Sequence, residues 1–184
     1  TNMLRSLGII TRRVRNVMLC GGGRVSYYLA DILNRHGISV KLMEKDETRC
    51  RELSALLPEV TVILGDGTDH AVLDSEGLAK TDALVSLTGM DELNMIMSLY
   101  GQSQGVPQVI TKLGRMENHT IIDALALGSV VCPKELCCNN IVRYVRAMQN
   151  QTGAAVSVHS IADGQAEAME FQVDEHTRHC GEPL

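Results

Sequence analysis

Short apolar runs alternate with helical patterns along residues 16–150, and this alternation restricts the possible folds more than any other feature of the chain. The runs have the length and the boundaries of buried strands. They are NVMLC (16–20), ISVKLM (38–43), VTVIL (60–64), DALVSL (82–87), QVITKL (108–113) and SVVCP (129–133). Strands separated by helices pair in parallel through right-handed crossovers. The alternation therefore predicts an α/β fold with a Rossmann-like, doubly wound parallel sheet of strand order 3-2-1-4-5-6.

Helices are predicted in most of the intervals between these strands. The first helix has apolar residues at helical spacing from Val25 to Leu33 and stops at Gly37, a residue that favours helix ends. The others are predicted over 46–57, with Asp46 as N-cap, and over about 91–104 and 117–127. A further helix follows the sixth strand, with an apolar stripe at helical spacing. That stripe consists of Cys137, Cys138, Ile141, Val142, Val145 and Met148, and it fits either a core-packing helix with buried thiols or an assembly helix.

From about residue 152 the pattern changes to that of a hairpin. Two alternating runs flank the turn signal Asp163-Gly164. We therefore expect a nucleotide-binding domain over 16–150 and the start of a small C-terminal α+β subdomain over 151–184. The first residue is Thr and no final element is evident, so we expect a fragment of a longer protein.

Composition excludes several classes of protein. The net charge of −5 argues against nucleic-acid binding, which needs a basic face, and the cluster Arg12, Arg13 and Arg15 is interpreted as a solvated linker. No stretch approaches the about 20 apolar residues of a membrane-spanning helix, and no signal peptide is expected. The six cysteines form no C-x-x-C pair, so no metal site is predicted and a reducing cytoplasm is favoured.

The loop CGGGRVS (20–26) lies where a phosphate-binding loop belongs, directly after a strand and before a helix. Gly21 would form the tight turn, Gly23 would let the backbone approach a pyrophosphate, and the helix N-terminus would supply N–H groups to the anion. Ser26 replaces the third glycine of G-x-G-x-x-G, whose role is packing, so we expect it to cost packing room more than phosphate binding. Arg24 could pair with phosphate in its own subunit or in a neighbour.

A carboxylate follows this loop at the expected distance. Glu44 ends the second strand about 20 residues later, where an acid accepts hydrogen bonds from ribose hydroxyls. The same charge would repel a 2′-phosphate, because two unit charges 4 Å apart interact by about 4 kcal/mol at an effective dielectric near 20. NAD or an adenosine phosphate is therefore favoured over NADP, the alternative being a solvated charge at a strand end.

Three other strand ends supply candidate ligand contacts. Asp66 and Thr68 follow the third strand and would border the adenine. Thr88 and Gly89 follow the fourth strand, across the switch point, and are either ligand contacts or an ordinary turn and N-cap. Lys112, near the end of the fifth strand, would reach a distal phosphate or nicotinamide, or is simply solvated.

Together these segments resemble the TrkA-like RCK (KTN) regulatory domains of potassium uptake systems. The matching segments, in family order and spacing, are GGGRV, LMEKD, GDGTD, TGMDELNM and CPKEL. The resemblance covers about residues 16–150 and includes the helix after the sixth strand, which in the family crosses over to a partner subunit. Residues 151–184 resemble the beginning of the family's C-terminal subdomain, and 1–15 the segment arriving from a preceding tandem unit.

The resemblance implies a regulator rather than an enzyme. Such domains bind NAD(H), which we expect here, or ATP, ADP or AMP, and they gate a membrane-embedded potassium channel or transporter. They form homodimers or larger rings at the inner face of the plasma membrane, in the cytoplasm. Carried over, Gly21, Gly22, Gly23, Arg24 and Val25 would hold phosphates, Glu44 the ribose, and Thr88, Gly89 and Lys112 the rest of the nucleotide. Glu135 falls where some relatives place an intersubunit contact, and Ser26 departs from the family's usual glycine.

Two other classes remain as alternatives. An NAD-dependent oxidoreductase would need a substrate domain that supplies an acid or base, and the residues after 150 are too few to form one. The histidines do not lie in a catalytic motif, so this alternative requires a substrate domain that is missing from the fragment. A redox-sensing repressor would need a DNA-reading helix and a basic face, and neither is visible.

Overall fold

The computed structural model describes residues 14–114, 125, 127–149, 155–161 and 166–171. The chain divides into two compact units between Pro133 and Lys134. The helix predicted over 117–127 lies outside the described residues, except at positions 125 and 127. The predicted domain boundary at 150/151 stays a prediction.

The first unit contains a six-stranded parallel sheet in the order β3-β2-β1-β4-β5-β6, as the sequence predicted. The order reverses between β1 and β4, which pair from Val17↔Ala83 to Cys20↔Ser86. The strands are β1 (Asn16–Cys20), β2 (Ser39–Glu44), β3 (Thr61–Leu64), β4 (Ala83–Ser86), β5 (Gln108–Lys112) and β6 (Ser129–Val131).

Helices connect these strands, and local sequence determines several of their ends. Asp46 caps the second helix by accepting a bond from Arg49 N at 2.7 Å, as predicted. Gly37 terminates the first helix with a φ of +72°. The strand pattern gave no bounds for the short helix that begins at His70, nor for the 3₁₀ turn Leu78–Lys80. The helices of this unit are α1 (Arg24–Arg35), α2 (Glu47–Leu56), α3 (His70–Ser75) and α4 (Asp91–Ser103).

The sheet separates two hydrophobic cores. Successive residues of a strand point to opposite faces, so Val17 and Leu19 of β1 join one core while Met18 and Cys20 join the other. Helices α1 and α2 contribute Ala30 and Leu53 to the first core. The second core includes Met97 from α4. Both faces are therefore covered, which is what a doubly wound sheet requires.

A long helix, α5 (Pro133–Gln149), leads into the second unit, which contains an antiparallel hairpin of β7 (Ala155–Ile161) and β8 (Ala166–Phe171). Cys137 and Cys138 are both exposed, so the interpretation of this helix as a core-packing helix with buried thiols is wrong. Among the described side chains of α5, the exposed apolar ones are Leu136, Ile141, Val142, Tyr144 and Val145. No helix among the described residues is long and apolar enough to cross a membrane.

Candidate functional site

A cleft of about 590 Å³ opens at the carboxyl ends of the strands, where the strand order reverses. In sheets of this kind, ligands bind at such a switch point. Most of the residues predicted as ligand contacts line this cleft: Gly21, Gly22, Gly23, Glu44, Asp66, Thr68, Thr88 and Gly89. Arg24, Val25 and Lys112 are not among its lining residues.

The first glycine of the loop is required by the protein itself. Gly21 has a φ of +105°, and a Cβ there would lie 3.0 Å from the backbone of Leu87 and of Thr88. Its N–H donates to Met43 O at 2.8 Å, which continues the pairing of β1 with β2. A side chain at this position would therefore clash with the β4 connection.

The second glycine is held by two side chains from the β2–α2 region. Gly22 N–H donates to Glu44 Oε2 at 2.5 Å, and Arg49 Nε donates to Gly22 O at 2.8 Å. A Cβ on Gly22 would lie 2.8 Å from both Glu44 Oε2 and Leu53 Cδ1. The other carboxylate oxygen of Glu44 accepts from Asp46 N at 2.9 Å. Glu44 is thus fixed at the cleft wall by two backbone N–H groups.

Arg49 is a cleft residue that sequence reasoning missed. The available signal was its place in the first turn of the helix that follows the Glu44 strand end. Its guanidinium also pairs with Glu52 at 2.8 Å, so the side chain joins the glycine loop to α2.

Gly23 differs from its two neighbours. It is the N-cap of α1 in extended conformation, with a φ of −70°, and a Cβ there would meet no atom within 4 Å. No atom of the described residues excludes a side chain at this position, so the space beside it is available to a ligand. The free N–H groups of the first turn of α1 follow directly.

Ser26 is buried in the first turn of α1, with no exposed surface. Its Oγ is the one buried side-chain polar atom without a hydrogen-bond partner among the described residues. Ser26 is expected to cost packing room; in addition, it buries an unsatisfied hydroxyl, which is unfavourable in an apolar environment.

The β3 end of the cleft carries an ionised carboxylate. Asp66 accepts from the backbone N–H and the hydroxyl of Thr68 at 2.9 and 2.7 Å. These two bonds, and to a lesser extent the charge of Lys45, hold the pKa of Asp66 below its ordinary value. The carboxylate therefore acts as a hydrogen-bond acceptor at neutral pH.

The floor of the cleft is apolar. Gly67 lies against Cys20 and Met97, since a Cβ at Gly67 would be 3.0 Å from Met97 Sδ and 3.3 Å from Cys20 Sγ. Burial raises the pKa of the Cys20 thiol to about 12. Cys20 is thus a neutral, apolar residue of the cleft floor at physiological pH.

The β4 side of the cleft is supported by a buried amide that sequence reasoning also missed. Asn94 is fully buried, and its Oδ1 accepts from the N–H and the hydroxyl of Thr88 at 2.9 and 2.7 Å. Lys112 Nζ donates to Thr88 O at 2.7 Å. Lys112 therefore contacts the cleft wall from outside, rather than the cleft. A polar residue on an apolar helix face was the available signal for Asn94.

The described residues contain no group of three or more histidine, cysteine or acidic side chains placed to hold a metal ion.

The matches to a known family and to known proteins cover the six-stranded unit or most of the chain. The model of the TrkA-N domain family matches residues 17–133. The Trk system potassium uptake protein trkA homolog 1 of Methanosarcina mazei is 28% identical over 176 residues, covering 95% of this chain and 42% of the relative. A TrkA homolog of Archaeoglobus fulgidus is 32% identical over 142 residues, covering 77% of this chain and 33% of the relative. The chain therefore spans less than half the length of these relatives.

Solved structures share the fold. The TrkA-N domain of the inner membrane protein YbaL from Escherichia coli has a TM-score of 0.64 at 16% identity, covering 73% of this chain and 99% of that one. The GsuK RCK domain has a TM-score of 0.63 at 18% identity, covering 82% of this chain and 32% of that one. The GsuK channel bound to NAD has a TM-score of 0.62 at 15% identity, covering 84% and 26%. The Rossmann-like fold is thus shared with these TrkA-N and RCK domains.

Proposed function

This chain belongs to the TrkA-N domain family, and on that premise we propose that it is a nucleotide-binding regulatory module of a potassium uptake system. The observation that carries the proposal is the convergence of the glycine loop and Glu44 on one cleft at the switch point of the sheet. The names of its relatives, which are Trk potassium uptake proteins, support the same assignment.

NAD(H) is the ligand we propose, with ATP, ADP or AMP as alternatives that share the adenosine half. The open space at Gly23 and the N-terminus of α1 suit a pyrophosphate. Glu44 keeps acceptor capacity for ribose hydroxyls, because each carboxylate oxygen has a second lone pair. The ionised Asp66 suits the exocyclic amino group of adenine. The NAD-bound GsuK channel, which has the same fold, supports this choice.

A preference for NAD over NADP follows from the charges beside the ribose position. Glu44 would repel a 2′-phosphate. The nearby Arg49 offsets this repulsion only in part, since its Nη1 is paired with Glu52 and its Nε is bonded to Gly22 O.

Regulation rather than catalysis is supported by the groups that line the cleft. The Cys20 thiol stays protonated, because burial raises its pKa to about 12, and the Asp66 carboxylate stays ionised, because bonds from Thr68 lower its pKa. An acid or base in a hydride-transfer site would need to exchange protons near neutral pH.

In this proposal the chain forms a homodimer or larger ring at the cytoplasmic face of the membrane. That assembly gates a membrane-embedded potassium channel or transporter. The exposed apolar residues of α5, among them Ile141, Val142 and Val145, support an assembly role for that helix. A nucleotide would shift the assembly by binding one arrangement more tightly than another.

Calorimetric titration of the 184-residue chain with NAD, NADH, ATP, ADP and NADP tests the proposal. We expect micromolar or tighter binding of at least one of them, with NADP weaker than NAD. In Glu44→Gln, which removes the charge and replaces one of the two accepting oxygens by an NH2 group, the Kd should rise by about tenfold or more, as for a hydrogen bond to a charged group.

The matched control is Glu59→Gln, an exposed glutamate outside the cleft. It should leave the Kd unchanged. Failure of all five nucleotides to bind the folded chain would reject the proposal. Turnover of a hydroxy acid or aldehyde with NAD would instead support the oxidoreductase alternative.

A further inference from the structure

The cleft has two sides that meet at the switch point. Glu44 and Asp66 lie on the β1–β3 side, whereas Thr88 and Gly89 lie on the β4 side. A mononucleotide needs only the first side, while a dinucleotide extends across the switch point to the second. The residues that shape the β4 side therefore decide whether the second half of a dinucleotide is bound.

Gly89 is the open position of the β4 side. A Cβ on Gly89 would meet no atom within 4 Å, as at Gly23 on the opposite side of the switch point. The other cleft glycines, such as Gly22 and Gly67, lie against protein atoms. The two open glycines are thus the cleft positions where protein atoms leave space beside the loop backbone.

The wall next to Gly89 is fixed from behind by two side chains. Asn94 accepts two bonds from Thr88 through Oδ1, and its Nδ2 donates to Thr88 O at 3.2 Å and to Lys112 O at 2.9 Å. Lys112 Nζ donates to the same Thr88 carbonyl at 2.7 Å. The backbone N–H and C=O of Thr88 are therefore both engaged by protein, and neither Asn94 nor Lys112 lines the cleft.

We propose that Asn94 and Lys112 are positioning residues for the half of the ligand that lies beyond the switch point. They act through Thr88, whose position sets that of Gly89. This inference rests on the proposed nucleotide site and extends it, because it gives two residues that do not line the cleft a role in binding through Thr88.

Substitutions at Asn94 and at Lys112 should differ in how strongly they disturb the fold. Asn94→Asp keeps the size and the acceptor oxygen, but it loses both Nδ2 donors. Lys112→Met keeps most of the apolar stem and removes the ammonium from Thr88 O. Lys112 is only half-buried, so this variant should fold even if changes at the fully buried Asn94 are not tolerated.

The experiment compares the Kd of NADH with that of AMP in the 184-residue chain and its variants. For Asn94→Asp and Lys112→Met we expect NADH binding to weaken by about tenfold, which corresponds to about 1.4 kcal/mol. AMP binding should change by less than about twofold, since AMP uses the β1–β3 side. Lys112→Arg, which keeps a cation, should restore part of the NADH affinity. The control Lys80→Met, an exposed lysine outside the cleft, should change neither Kd.

The outcomes separate this inference from the proposed function. If the wild-type chain binds none of NADH, AMP, ATP and ADP, the nucleotide site itself is rejected. If it binds AMP but not NADH, or if Lys112→Met weakens both ligands equally or leaves NADH unchanged, the positioning role is overturned while the nucleotide site stands.

Discussion

The amide N–H of Gly22 donates to Glu44 Oε2 at 2.5 Å, so the glycine loop is hydrogen-bonded to the carboxylate that ends β2. The same bond ties the glycine loop to the candidate ribose contact, and it engages the Gly22 N–H with Glu44 rather than with a phosphate. A substitution of either residue should therefore displace the other.

Gly22→Ala should disrupt this hydrogen bond. The added Cβ would lie 2.8 Å from Glu44 Oε2 and from Leu53 Cδ1, and overpacking of this kind costs about 1–3 kcal/mol. We expect the free energy of unfolding in urea to fall by that amount and NADH binding to weaken, because Glu44 must move. Unchanged stability in this variant would contradict the close packing of the loop.

Gly23→Ala is the matched comparison for a ligand effect without a folding effect. Its Cβ has open space and its φ of −70° suits alanine, so stability should change by less than about 1 kcal/mol. NADH binding should nevertheless weaken, since the methyl group would occupy the space beside the pyrophosphate. Full NADH affinity in Gly23→Ala would show that the loop does not approach the ligand there.

Ser26→Ala should leave the protein as stable as the wild type or more stable. The Ser26 hydroxyl is buried without a partner among the described residues, and relief of such a group gains about 1 kcal/mol. Ser98→Ala is the control, because Ser98 Oγ lies 3.1 Å from Ser86 Oγ and 2.7 Å from Thr111 Oγ1. It should be destabilising by about 1–3 kcal/mol. Equal losses in both variants, by urea denaturation, would mean that Ser26 has a role its contacts do not reveal.

Asp66 should make stability depend on pH in the acid range. Bonds from Thr68 lower its pKa in the folded state, so its stabilising contribution is present above the unfolded value of about 4. That contribution is lost as the pH falls through the lower folded value. NMR titration should locate the folded pKa below that of Asp66 in Thr68→Val, which lacks the hydroxyl donor. Identical values in the two proteins would contradict the role of the Thr68 hydroxyl.

Cysteine labelling should divide the described thiols into two groups. Cys137 and Cys138 are exposed, whereas Cys20, Cys50 and Cys132 are buried. Burial raises the pKa of Cys20 to about 12, and burial followed by the charge of nearby carboxylates raises that of Cys50. At pH 8 we expect iodoacetamide to modify Cys137 and Cys138 at least about tenfold faster than Cys20, because the thiolate is the reactive form. Peptide mapping by mass spectrometry measures this, and fast labelling of native Cys20 would contradict its burial.

Much of the fold could be predicted because its signals are local. The strand NVMLC agrees with β1, the predicted N-cap at Asp46 is formed, and the strand order follows from parallel strands joined by right-handed crossovers. Strand ends elsewhere differ by one or two residues, as where β4 spans Ala83–Ser86 rather than 82–87. Those ends depend on which residues find a partner in the neighbouring strand, and sequence periodicity does not contain that information.

The exposure of Cys137 and Cys138, in contrast, could not be predicted from local sequence. Helical spacing identified the apolar stripe of α5 but not what covers it. A helix that packs on the core of its own chain and a helix that binds a partner chain have the same amphipathic pattern.

The sequence by itself determined the sheet order and the residue types that meet at the carboxyl ends of the strands, because periodicity and glycine spacing are local properties. Tertiary structure decided which of those residues reach the cleft. It placed Lys112 behind Thr88, assigned Asn94 to hold the same wall, and gave Gly22 its contact with Glu44. These relationships join residues that are distant in the chain, and only the register and twist of the paired strands bring them within hydrogen-bond distance.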